Sequence, residues 1–122
     1  MSLQTTVPDV EERLEKGIAL KVEGRYEEAE RVVRAILADN PDYALARREL
    51  GLILNFTGMF DESIEELKKA VELDPHFLQG RVDLALAYSM LGYMDEAKAE
   101  LDTVLEIDPT NAAALRHIVY FQ

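Results

Sequence analysis

The chain has 122 residues, of which 48% are apolar and 30% charged, proportions that fit one folded soluble domain or one short array and exclude a disordered chain. A formal net charge of −11 with no basic stripe excludes nucleic-acid binding and disfavours an anionic membrane surface. The lack of cysteine excludes disulfides, thiolate metal sites and cysteine nucleophiles.

Residues 1–9 are polar and unpatterned and are expected to form a flexible lead-in. They carry no basic-then-apolar signal pattern, and no stretch of the chain approaches the roughly 20 apolar residues that span a bilayer. The cytoplasm is the expected compartment; a periplasmic or membrane-tethered location stays open if the native chain carries a leader or anchor, as does extension beyond residue 122.

Pro8-Asp9 starts a helix, with Glu11 and Glu12 in the first turn where the helix dipole favours acids. Leu14, Ile18 and Val22 recur at helical spacing, and Gly24 ends the run, because glycine takes the left-handed conformation cheaply. A second helix runs from Tyr26 to Asp39 and buries Ala29, Val32, Val33, Ile36 and Leu37, until Asn40-Pro41 stops it. The same arrangement then recurs: helices over 43–57 and 60–73 end at Gly58 and Asp74-Pro75, and helices over 77–91 and 94–107 end at Gly92 and Asp108-Pro109. A seventh helix is expected from Asn111 to Phe121.

The turn glycines Gly24, Gly58 and Gly92 are 34 residues apart, and so are Pro41, Pro75 and Pro109. One unit is therefore written three times, which predicts a stacked repeat array rather than a domain with a single closed core. Loops of two to four residues make successive helices antiparallel neighbours. The expected fold is all-α, a right-handed solenoid of helical hairpins with about seven helices. It is a single array over 10–122, with units 10–43, 44–77 and 78–111 and a closing helix over 112–122.

This pattern resembles the tetratricopeptide repeat, a helix–turn–helix unit of 34 residues. The family's small-residue columns fall on Gly17, Gly51 and Ala85 and on Ala29, Ser63 and Ala97. The position after the turn holds Tyr26, Phe60 and Met94, and the closing column is proline. Two departures stand out. The early tryptophan or leucine of the first helix is Arg13, Arg47 and Arg81, then Leu115; the third small position is Ile36, Ala70 and Val104. The arginines are expected to lay their stems on the core and pair with local acids.

The resemblance implies a curved ribbon whose inner wall is built from the first helix of each hairpin, and hence a role in binding proteins. In one subset of the family, lysine, asparagine and arginine on that wall grip a terminal carboxylate. The matching positions are Leu14, Ile18, Glu49, Gln79 and Asp83, so that grip is not carried over. Instead the wall reads as apolar. Leu14, Ile18 and Val22 lie on the first inner helix, and Leu45, Leu52 and Phe56 on the second, with Arg48 and Asn55 as polar members. Val82, Leu86 and Met90 follow on the third, and Tyr120 on the last. A groove of this kind suits an apolar or amphipathic helix or extended peptide, and Glu11, Glu15, Glu49 and Asp83 favour basic flanks on it.

Chemistry has little to start from. His76 in a loop and His117 in the last helix stand far apart, and the glycines are isolated turn residues rather than a phosphate-cradling loop. The acidic pairs Glu27-Glu28, Asp61-Glu62 and Asp95-Glu96 suit the first turns of second helices. The chain is read as non-enzymatic and cofactor-free. Three roles remain: an interaction module, a self-assembling subunit using the groove or the apolar end Ile118 to Phe121, and a regulatory piece of a larger protein.

Overall fold

A computed structural model describes residues 9–121; most of the lead-in lies outside the described residues. Seven helices follow in order: α1 (Val10–Val22), α2 (Tyr26–Asp39), α3 (Ala44–Phe56), α4 (Phe60–Leu73), α5 (Leu78–Met90), α6 (Met94–Ile107) and α7 (Ala112–Ile118). Among the described residues there is no strand, and the fold is an all-α helical repeat solenoid.

Side-chain oxygens start the outermost helices. Asp9 Oδ1 accepts from the Glu12 N–H at 2.8 Å, and Asn111 Oδ1 from the Ala114 N–H at 2.9 Å. The first helix of each hairpin ends on a glycine with φ of 80°, 83° and 82° at Gly24, Gly58 and Gly92. Beyond it the next N–H folds back into the helix, Arg25 to Leu20 O, Met59 to Leu54 O and Tyr93 to Tyr88 O. The acid pairs sit in the first turns of α2, α4 and α6, as their spacing implies.

Small residues bring the two helices of a hairpin together. A Cβ on Gly51 would stand 2.6 Å from Leu67 Cγ, and one on Gly17 2.9 Å from Val33 Cγ2. Buried Ser63 hydrogen-bonds the Gly51 carbonyl at 2.7 Å. Packing runs from each helix to the next, with α1 also meeting α3 and α3 meeting α5. The apolar interior is accordingly a chain of linked clusters. One centres on Leu50, Ile53 and Ile36, another on Leu67, Leu84 and Ala87, and a third on Val82, Leu101 and Ile118.

The seventh helix is shorter than its sequence pattern suggests. It ends at Ile118, and Val119–Phe121 tighten into a single 3-10 turn, a common way for a helix to finish. Phe121 turns inward onto the last cluster, whereas Tyr120 is 80% exposed.

α1 closes its own end of the stack with polar residues. Ala46, Leu50 and Ile53 of α3 are buried, as are Gly80, Leu84 and Ala87 of α5. The same register positions of α1 hold Glu12, Lys16 and Ala19, all exposed. A polar outer face is what a terminal repeat requires.

Candidate functional site

The first helices of the hairpins, α1, α3 and α5, stand side by side and carry equivalent residues at equivalent heights. One column holds Ile18, Leu52 and Leu86; the first two are half-buried and Leu86 is 37% exposed. One turn further on, Val22, Phe56 and Met90 form a more open row, 77%, 60% and 58% exposed. Leu45, in the first turn of α3, is also exposed. Phe56 is braced from behind, since its ring stacks on Tyr26 of the preceding hairpin with centroids 5.4 Å apart. α7 packs on α6 and does not fold over this row.

Two residues expected on the wall are not there. Leu14 and Val82 are 6% and 2% exposed and belong to the interior clusters. Four residues separate Leu14 from Ile18 and Val82 from Leu86, and four residues of helix rotate a side chain by about 40°. That rotation carries this column from the open wall into the seam with the neighbouring helices. Arg48 occupies the same column in α3, and its guanidinium uses the seam to reach α5.

The electrostatics also differ from the sequence expectation. Glu49 and Asp83 are not free acids beside a groove. Lys21 Nζ donates to Glu49 Oε1 at 2.7 Å, linking α1 to α3. Arg48 Nε donates to Asp83 Oδ2, linking α3 to α5, and Gln79 Nε2 donates to the other carboxylate oxygen at 3.0 Å. Both carboxylates are nearly buried, so pairing is what makes their burial tolerable. The result is a direction. Each inner helix points a cation toward the next helix and an acid toward the previous one.

Sequence reading missed this ladder, although the register could have exposed it. Lys21 and Glu49 are separated by 28 residues and Arg48 and Asp83 by 35, each close to one repeat. Asn55, on the same helix face as Arg48, is half-buried, and its Oδ1 lacks a hydrogen-bond partner among the described residues.

The arginine column is spent locally. Arg47 bridges Pro41 O and Glu66, Arg81 bridges Pro75 O and Glu100, and Arg13 pairs with Asp39. A depression of about 490 Å³ beside the first hairpin turn is lined by Arg25, Glu28 and Arg31 and lies away from the apolar column. Among the described residues no three His, Asp or Glu side chains converge as metal ligands, and no helix is long and apolar enough to cross a membrane.

Comparison with known proteins agrees with this architecture. Two tetratricopeptide repeat profiles match, over residues 14–76 and 57–117. No curated protein matches the sequence. Among solved structures, the first TPR of Spaghetti (RPAP3) bound to an HSP90 peptide is similar with a TM-score of 0.86 and 20% identity, over 92% of this chain and 89% of that one. The second TPR domain of human RPAP3 in complex with an HSP70 peptide gives 0.83 and 23%, over 89% and 91%. A Thermobaculum terrenum O-GlcNAc transferase gives 0.84 and 22%, over 92% of this chain but only 22% of that one. With one profile covering more than half its length, the chain belongs to the tetratricopeptide repeat family.

Proposed function

We propose that this array is a non-catalytic interaction module that takes an apolar or amphipathic peptide segment along its inner wall. The observation that carries the reading is the open apolar row itself. Leu52, Leu86, Phe56 and Met90 are surface residues on adjacent helices, in register, with nothing of the chain folded over them. Contiguous apolar surface of this sort marks interaction sites.

The similar RPAP3 domains are bound to chaperone peptides, which supports a peptide role for the same architecture. The ligand class differs, because the positions that grip a terminal carboxylate in part of the family hold Leu14, Ile18, Glu49, Gln79 and Asp83 here. A non-catalytic role is supported by the pairing of the wall's two buried carboxylates, which leaves them poorly placed to move protons.

Screening the protein against an immobilised peptide library tests the proposal. Peptides held by the wild type should be lost when Leu52 and Leu86 are both replaced by glutamate, with helicity and cooperative melting retained. Peptides still held by the folded double variant would rule the wall out.

Self-association is a second reading with its own observation. Leu115, Val119 and Tyr120 leave the α7 end apolar, in contrast to the polar outer face of α1. A molecular mass that stays monomeric across a light-scattering concentration series would remove it.

A further inference from the structure

We infer that the wall reads a peptide of mixed polarity: basic where it lies on α1, apolar across α3 and α5, and acidic where it approaches α7. This rests on the peptide-binding reading above and narrows its ligand. The partner inferred is an extended segment with opposite charges at its two ends, not one with basic residues on both flanks.

The argument starts from the ladder. Lys21 meets Glu49, and Arg48 meets Asp83, so the middle of the wall is neutralised from within. A ladder in which every helix points a cation forward and an acid back must leave one acid at the first helix and one cation at the last. Glu15 has the register position of Glu49 and Asp83, but no earlier helix faces it; it is exposed and forms no ion pair among the described residues. Glu11, one turn earlier, is likewise exposed and unpaired. Arg116 has the register position of Arg48 and is exposed, with no carboxylate paired to it among the described residues. The unpaired acids Asp42, Asp74 and Asp108 lie near helix termini between hairpins, outside the inner helices.

Length follows from the stacking. Adjacent packed helices stand about 8–10 Å apart, so three steps from α1 to α7 cover roughly 30 Å. An extended polyproline-type segment rises about 3.1 Å per residue with three residues per turn. About ten residues therefore span the wall, and every third side chain faces it, roughly one per inner helix. A β-strand is a poorer match, since its side chains return to one face about every 6.6 Å. Exposed charges at the two ends add modestly to affinity and strongly to selection.

Four fluorescein-labelled probes test this by fluorescence anisotropy. Each has leucine at every third position over ten residues. The ends are two lysines and two glutamates, the reverse order, four lysines, or four glutamates. One of the two mixed-end probes should bind roughly 5-fold or more tighter than either like-ended probe at low salt, with the preference shrinking as salt is raised. Glu11→Lys with Glu15→Lys should reduce that preference, and so should Arg116→Glu, with the melting temperature kept. Binding of the four-lysine probe as tightly as the best mixed probe would overturn the inference. Leu52→Glu with Leu86→Glu separates the two levels. If that variant still binds, or if no probe binds the wild type, the groove reading falls and takes this inference with it. If it abolishes binding that shows no charge preference, only the inference falls.

Discussion

Lys21 of α1 holds Glu49 of α3 with an Nζ–Oε1 distance of 2.7 Å, and both side chains are mostly withdrawn from water. The contact ties the first inner helix to the second on the face where a partner would lie. It thus serves stacking and also cancels a charge that would otherwise define the groove.

Breaking the pair from one side should be costly, because the surviving charge stays where water reaches it poorly. Lys21→Met is expected to destabilise by about 2–3 kcal/mol. Lys21→Met combined with Glu49→Leu should recover much of that loss, since replacing both partners of a buried pair by apolar residues is often close to neutral. Urea denaturation of the two single variants and the double variant reads the coupling directly. Additive losses would show that the pair contributes nothing as a pair.

Gly51 makes a second prediction. Alanine there gains about 1 kcal/mol of helix propensity, but its Cβ would stand 2.6 Å from Leu67 Cγ and 3.3 Å from the Ser63 carbonyl. Overpacking costs about 1–3 kcal/mol, so Gly51→Ala should lower stability despite the better helix former. Gly17→Ala meets only the tips and Cβ of Val32 and Val33 and should be milder. Thermal melts of the two variants check the ranking.

These two predictions also divide what was legible in the sequence from what was not. Repeat length, turn glycines and small columns are local or strictly periodic, so they show in one dimension, and α2, α4 and α6 match their expected bounds. The apolar wall column Ile18, Leu52 and Leu86 follows from the same register. Leu14 and Val82 were misplaced because a 40° turn decides between wall and seam, and apolarity suits both. Glu49 and Asp83 misled for a different reason. An acid looks free in a sequence until its partner on another helix is known, and Lys21 and Arg48 lie about a repeat away.

Alkaline pH supplies a third prediction. Burial, followed by Glu100 and Glu96, pushes the Tyr88 hydroxyl above its ordinary value of 10.0, and burial with Glu11 and Asp9 does the same for Tyr43. The native state therefore keeps these protons after the unfolded chain begins to lose them. Stability should be insensitive to both groups below about pH 9 and should fall as pH rises from about 10 through the raised native values. Denaturant midpoints measured between pH 8 and 11 should decline less steeply in a Tyr43→Phe, Tyr88→Phe variant than in the wild type. Equal slopes would mean that neither ring contributes.

Arg47 and Arg81 support the last prediction, because they perform the same task one repeat apart. Arg81 Nε donates to Pro75 O at 2.9 Å, and its Nη1 donates to Glu100 Oε1 at 2.9 Å; Arg47 does the same with Pro41 O at 3.0 Å and Glu66 at 2.9 Å. Each guanidinium thus joins the closing turn before its own hairpin to the second helix of that hairpin. Lysine carries the charge but not the planar fork, and cannot meet both acceptors in their present directions. Arg81→Lys should lose about 1 kcal/mol, while Arg81→Met should lose about 2 kcal/mol, because it also strands a mostly buried Glu100. Glu100→Gln in the Arg81→Met background should restore part of the difference. A lysine variant as stable as the wild type would show that charge alone suffices and that the fork has no structural role.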